Sequence, residues 1–383
     1  MKELRMPEQL KIAFIGAGNA NFGGGEGPWD HASRLEKIGD VRIVGIADLN
    51  TPLAERRLAA RRSGPAGDMY ADAEIFADYR RMLERAGPDA VFIALPPEAH
   101  GTAEAPKDIE LTCASAGVHM FIEKPLSSAP PEEVAPVADA LARAAEGGLI
   151  VSVGYMFRYS RAVEKMKEIL AETPGGIRAF VARYNCAYTE IASKVWWDIR
   201  RTGGPIVEQA THFCDLARYI AGDIDLSTIL AVSIPGGEAA SQLTKVPAGS
   251  DGRSIEADIP DEYRIPRATA AVWRFTNGAV GSLTHGILLH RKKYLAELEV
   301  WGDGLRIALK DPYGRCRLHV RYPGSENVET LDFADDDPYL SEAETFIRAV
   351  RTGDASAVRC THADAVKTHQ LTWAVRRAAE RRT

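Results

Sequence analysis

The 383-residue sequence predicts two unlike layers. The first is an α/β Rossmann-type domain, a doubly wound parallel sheet, over residues 1–154. The second, over 155–383, is an α+β domain with a large, mostly antiparallel, open-faced sheet. Two observations carry this reading. Short apolar runs alternate regularly with helical stretches as far as Gly154, the pattern of parallel strands covered on both faces. Beyond it, long runs follow one another with no helix between them, as antiparallel neighbours do. The length also favours two domains over one core.

Composition narrows the function classes. A net charge of −6 is spread along the chain rather than gathered in blocks, so neither nucleic acid nor an anionic membrane is implied as a partner. No apolar run reaches membrane-spanning length, and the start passes from a short polar arm straight into a strand, so a cytoplasmic protein is expected. The five cysteines (113, 186, 214, 316 and 360) form no CxxC pair and leave one over, which argues for reduced thiols and against a zinc site or disulfide framework.

Taken in order, Lys11–Ile15 is an apolar strand that runs into Gly16-Ala17-Gly18-Asn19. A strand entering G-x-G opens a dinucleotide-binding βαβ unit: the first glycine makes the tight turn, and the second lets a pyrophosphate approach the backbone. Here Asn21 replaces the third small residue, and a glycine-rich insertion over residues 22–30 delays the helix to about His31. The next strand, Val41–Ala47, ends at Asp48, an acid placed to accept hydrogen bonds from the adenosine ribose hydroxyls and to repel a 2′-phosphate. NAD is therefore favoured over NADP. Arg56 and Arg57, further along, read as a solvated helix face.

Residues 53–62 and 72–86 read as helices, and 90–95 as a third strand, followed by Leu95, Pro96 and the run to His100. A helix over 107–117 leads to the strand Met120–Ile122. Pro125, with no N–H to donate, ends that strand. The charged pair Glu123-Lys124 thus falls at the carboxyl end of a strand, where open α/β sheets bind ligands. A lysine there can hydrogen-bond a substrate hydroxyl or carbonyl beside a cofactor. A helix over 132–145 and a strand over 149–154 complete the first domain.

In the second domain a helix over 160–172 precedes strands at 178–190, 226–234, 268–276, 279–290, 294–301 and 304–310. Asn277-Gly278 marks a hairpin. Residues 243–266, rich in proline, glycine and charge, read as a mobile insertion. Two helices, 338–351 and 361–381, close the chain, the latter with Thr361 and Asp364 in near capping-box spacing. A helix over 206–221 places Glu208, His212 and Asp215 on one face, where a carboxylate one turn away fixes the tautomer of a general-acid/base histidine. No metal is expected there. Trp196, Trp197, Arg200 and Arg201 in the preceding loop, and Arg158 and Tyr159 after the last Rossmann strand, are candidate substrate contacts.

Together the opening G-x-G, Pro96 to His100, Glu123-Lys124-Pro125, Glu208-x-x-x-His212-x-x-Asp215, the Asn-Gly hairpin and the Thr361 helix resemble the Gfo/Idh/MocA oxidoreductases over nearly the whole chain. The resemblance implies NAD-dependent hydride transfer at a secondary alcohol of a sugar, cyclitol or sugar-like metabolite. It implies cofactor contacts from Gly16, Gly18, Asn19, Asp48, Leu95, Pro96, His100, Glu123 and Lys124, with Lys124 on the reacting oxygen. His212 would move the proton, and Glu208 stands where the family usually has Asp. Arg158, Tyr159, Trp197, Arg200 and Asp215 are the substrate-contact candidates. The resemblance also implies a homodimer or homotetramer through the open sheet, with the C-terminal helices as candidates to pack on the first domain. Two alternatives accompany it: an NAD-dependent glycosidase or lyase working through transient oxidation, and a non-catalytic ligand-sensing regulator.

Overall fold

The computed structural model describes residues 9–23 and 30–381. The N-terminal polar arm through Glu8 and the centre of the glycine-rich insertion, residues 24–29, lie outside the described residues. The chain forms two units. One comprises residues 1–126, 132–156 and 339–364, the other 127–131, 157–338 and 365–383.

In the first unit the elements in chain order are β1 (Leu10–Ile15), α1 (Asn19–Phe22), α2 (His31–Ile38), β2 (Val41–Ala47), α3 (Thr51–Arg62), β3 (Glu74–Phe76), α4 (Tyr79–Ala86), β4 (Ala90–Ile93), α5 (Ile109–Ser115), β5 (His119–Ile122), α6 (Pro131–Glu146) and β6 (Val151–Val153). All strand pairs are parallel, in the order β3-β2-β1-β4-β5-β6. Strand order reverses between β1 and β4, so the crevice at their carboxyl ends is the expected dinucleotide site. One face of the sheet is an aromatic stack: Phe92 lies on Phe121 with centroids 5.0 Å apart, and Phe346, from the 339–364 segment, meets both edge-on at 5.5 and 5.7 Å.

The 72–86 helix of the sequence reading is corrected here. Ile75 and Phe76 pair with Ile46 and Ala47 as the edge strand β3, and Asp78 then caps a shorter helix by accepting from Arg80 N. Pairing against a buried strand outweighs the helical propensity of this stretch. A four-residue helical turn, α1, also follows the glycine turn at once, ahead of the insertion.

The second unit holds α7 (Arg161–Glu172), β7 (Ile177–Ala187), α8 (Ile199–Thr202), α9 (Pro205–Glu208), α10 (Thr211–Ala221), β8 (Ile224–Ile234), β9 (Ala268–Phe275), β10 (Val280–Leu289), β11 (Tyr294–Gly302), β12 (Arg306–Lys310), β13 (Arg317–Arg321) and β14 (Glu329–Asp332). The last two helices of the chain are α11 (Pro338–Thr352) and α12 (His362–Glu380). The eight strands run β14-β13-β12-β11-β7-β10-β9-β8, antiparallel except for the β7–β10 pair. Helices α7 and α10 pack on one face. The other face carries an outward row of cross-strand neighbours: Leu230, Val272, Ser282, Val181 and Glu299.

Three further corrections fall in this unit. Strands β13 and β14 were not foreseen. The 243–266 segment is not loose: Ile255, Ile259 and Ile265 are buried, Ile265 N donates to Trp197 O, and the buried Arg267 guanidinium grips both carboxylate oxygens of Glu256 at 2.8 Å. Finally, the single helix over 206–221 is two helices, broken at Gln209 and Ala210.

Candidate functional site

In the first unit, Gly16 takes φ +99° and comes so close to strand β4 that a Cβ would stand 2.3 Å from Ala94 O. Only glycine fits there. The fully buried Asn21 fastens the turn by donating from Nδ2 to Gly16 O at 2.7 Å, so it is a brace rather than a defect in the motif. At Gly18 the Cβ position is open, with nothing within 4 Å, which is the room a pyrophosphate needs to reach the backbone. Asp48 accepts from Ala17 N and Asn50 N, both at 2.7 Å, which ties the glycine turn to the end of β2 and holds an anion where the adenosine ribose is expected. These residues fit a dinucleotide.

Beyond the turn, Leu95 is half-buried and Pro96 exposed at the end of β4. His100 does not face outward. It is buried, its Nδ1 sits 2.6 Å from Glu110 Oε1, and Glu110 Oε2 accepts from Gly101 N. His100 and Glu110 together clamp the 95–101 loop. His362, buried beside this pair, has its pKa pushed down to about 4 by desolvation. Glu123 and Lys124 follow β5, both half-buried, with Pro125 joined by a cis peptide bond. His31 Nε2 lies 2.8 Å from Glu123 Oε1.

In the second unit, the break before α10 sends Gln209 toward the sheet, where its Oε1 accepts from His285 Nε2 (2.7 Å) and Cys186 Sγ (3.2 Å). Burial lowers the His285 pKa to about 3, so it is neutral at physiological pH. Glu208 ends α9, ahead of the break, and its Oε2 accepts from Trp196 Nε1 at 2.9 Å. Asp215, expected as a substrate contact, instead receives Arg158 Nε at 2.8 Å and Nη2 at 2.6 Å, plus the Thr368 hydroxyl at 2.9 Å. Both members of this ion pair are buried. Arg158 and Asp215 therefore hold each other, because a charge so enclosed needs its partner.

Two more substrate candidates are core residues. Trp197 is fully buried with its indole N–H on Ile191 O, and Tyr159 is buried too. The neighbouring Trp196 is the half-buried one. Arg200 stays exposed but grips Asp198 and lies 4.1 Å from the Tyr263 ring centroid.

His212, in the first turn of α10, is set among rings. Phe157 meets it edge-on at 5.7 Å and Tyr313 at 6.3 Å, and Tyr294 lies against Tyr313 at 4.5 Å. Tyr294 and Tyr313 are half-buried. Burial, then the Glu208 charge, push the Tyr294 hydroxyl pKa up. These tyrosines were missed in the sequence, where one opens a strand and the other sits in an ordinary Pro-Tyr-Gly turn.

A glycine turn on a parallel sheet with an acid ending the second strand, followed by an open-faced antiparallel sheet, defines a two-domain NAD-binding oxidoreductase. Comparison with known proteins agrees. Residues 10–155 match the oxidoreductase family with NAD-binding Rossmann fold, and residues 158–305 the C-terminal domain of oxidoreductases. The chain is 37% identical over 380 residues to an uncharacterized protein of Schizosaccharomyces pombe, covering 96% of this chain and 91% of that one. It is 24% identical to the myo-inositol 2-dehydrogenase of Thermotoga maritima, covering 91% and 90%. Levoglucosan dehydrogenase in complex with NADH and levoglucosan shares the fold, with TM-score 0.74, 20% identity and 98% coverage of both chains. The chain belongs to the Gfo/Idh/MocA family of NAD-dependent oxidoreductases. No helix among the described residues is long and apolar enough to cross a membrane.

Proposed function

We propose that the protein transfers a hydride between NAD and a secondary alcohol carbon of a sugar, cyclitol or sugar-like ring. The observation that carries this is the aromatic shelf of Tyr294 and Tyr313 beside His212. The C–H groups of a saturated ring make an apolar face that covers an aromatic ring, while its hydroxyl rim needs polar partners such as His212 and Glu208. The relatives named for myo-inositol and levoglucosan act on such rings, which supports the same reading.

NAD, when bound, supplies the hydride acceptor or donor. The chain's own residues supply positioning and proton transfer. The Lys124 ammonium hydrogen-bonds the reacting oxygen. His212 takes the hydroxyl proton during oxidation and returns it during reduction. Glu208, oriented by the Trp196 indole, faces the hydroxyl rim. Residues 1–154 serve the cofactor and 155–383 the substrate, with α11 added to the first group. The exposed Val181, Leu230, Val232, Val272 and Val280 form an apolar block on the open sheet that pairs two copies of the chain. The five cysteines, buried and in no disulfide among the described residues, suit a reducing cytoplasm.

The test is a panel of cyclic polyols, free sugars and aryl glycosides, each with NAD, followed by nicotinamide absorbance. NADH formation with cyclic polyols or free sugars is the expected result. Aglycone release without net NADH would instead mark a glycosidase, and NADH binding without turnover on any ring would favour a ligand sensor.

A further inference from the structure

Helix α3 starts three residues after Asp48, and its arginines at 57 and 61 lie one turn apart on the same side. Arg61 is fully committed. It reaches Asp30 (2.7 Å), Glu36 (3.0 Å), Ser33 and the Phe22 carbonyl (2.8 Å), closing the two ends of the glycine-rich insertion with its charge neutralised. Arg57 is different. Its Nη2 donates to Asn19 Oδ1 at 2.9 Å, and Asn19 is the residue immediately after Gly18. Among the described residues no carboxylate pairs with Arg57, and its buried Nε has no hydrogen-bond partner.

A half-buried guanidinium that meets only a neutral amide keeps its positive charge uncompensated, and a ligand that brings anionic oxygens matches it. The open space at Gly18 is next to it. Two phosphorus positions of a dinucleotide could supply the anion: the pyrophosphate and, in NADP, the adenosine 2′-phosphate. Asp48 stands as an anion at the ribose end and disfavours the second. We infer that Arg57 is a contact to the pyrophosphate of the bound dinucleotide, placed by Asn19 on the flank of the glycine turn. The planar fork of arginine meets two phosphate oxygens at once, which a lysine ammonium does not. This inference rests on dinucleotide binding and is independent of which alcohol is oxidised.

The experiment measures binding rather than turnover. NADH and NADPH are each titrated by nicotinamide fluorescence into the wild-type protein and into Arg57→Gln, Arg57→Lys and Asn19→Ala, with ADP-ribose and adenosine as competitors and thermal melts to confirm folding. Arg57→Gln should weaken NADH and ADP-ribose on the order of tenfold or more and flatten their salt dependence. Adenosine, which lacks a phosphate, should bind unchanged. Arg57→Lys should recover part of the loss, and Asn19→Ala should cost little because the charge remains. Three outcomes would overturn the inference: equal loss of adenosine and ADP-ribose, a loss confined to NADPH, or Asn19→Ala matching Arg57→Gln with salt dependence intact. The last would mean that Arg57 only braces the loop.

Discussion

His31 Nε2 and Glu123 Oε1 lie 2.8 Å apart, joining the first residue of α2 to the acid that precedes Lys124, 92 positions further on. The pair is half-enclosed by the rings of Phe92 and Phe121, each about 5 Å from the imidazole. Burial alone would raise the Glu123 pKa, but the hydrogen bond and charge of His31, followed by the charge of Lys124, hold it below the usual 4.5.

A lowered native pKa means that ionised Glu123 stabilises the fold above the ordinary carboxylate range, and that this stabilisation disappears as pH falls below 4.5 through the native value. Melting temperature measured against pH should therefore drop less steeply on the acid side for Glu123→Gln than for the wild type. His31→Leu should cost about 1–3 kcal/mol in urea unfolding at neutral pH, because it leaves a half-buried carboxylate with only the long bond from Lys124 N at 3.2 Å. Equal acid slopes in the wild type and Glu123→Gln would contradict the assignment.

The Arg158–Asp215 pair should behave as a structural fastener. Arg158→Met strands a buried Asp215, and a loss of about 3–5 kcal/mol is expected in chemical denaturation. By contrast, Lys165→Ala breaks an exposed pair with Glu168 at 3.0 Å and should leave the denaturation midpoint nearly unchanged. If Arg158→Met unfolded no more readily than Lys165→Ala, the fastener role of the pair would be refuted.

Lys124→Ala and His212→Asn test the chemistry. Each should lower kcat by about 10²–10⁴, the usual range for a lost general acid or base, while NADH affinity at equilibrium stays within a few-fold of wild type. Steady-state rates alongside fluorescence titration separate the two effects. Unchanged turnover in either variant removes that residue from the proton path.

The strand ends of the first unit were legible because strand and turn are coupled locally: Gly16, Asp48 and Glu123-Lys124 each follow an apolar run that forms β1, β2 or β5, and the fold puts such ends at the crevice. What escaped depends on distant partners. Nothing near residue 158 in sequence announces Asp215, and nothing near 100 announces that Glu110 holds both its imidazole and the next backbone N–H. The kink at Gln209 was hidden because 206–221 has a sound helical pattern; the side-chain bonds to His285 and Cys186 across the sheet appear only in three dimensions. Strand β3 escaped because its three residues are extended only by pairing with β2. Trp196 and Trp197 were indistinguishable in sequence, although one is core and the other orients Glu208.

The shelf beside His212 gives the sharpest test of substrate shape. Tyr294 opens strand β11 and lies 4.5 Å from Tyr313, with the rings 32° apart, so together they present an aromatic surface rather than two isolated hydroxyls. If the surface carries the apolar face of a ring, the aromatic area matters more than the phenol. Tyr294→Phe should then keep KM near wild type, while Tyr294→Ala should raise it about tenfold for cyclic substrates, in line with an aromatic contact of about 0.5–1.5 kcal/mol plus lost burial. Linear polyols, which offer no flat face, should be affected less by the same change. Steady-state kinetics on one cyclic and one linear substrate decide the matter. A Phe variant as impaired as the Ala variant would show that the Tyr294 hydroxyl, not its ring, meets the substrate.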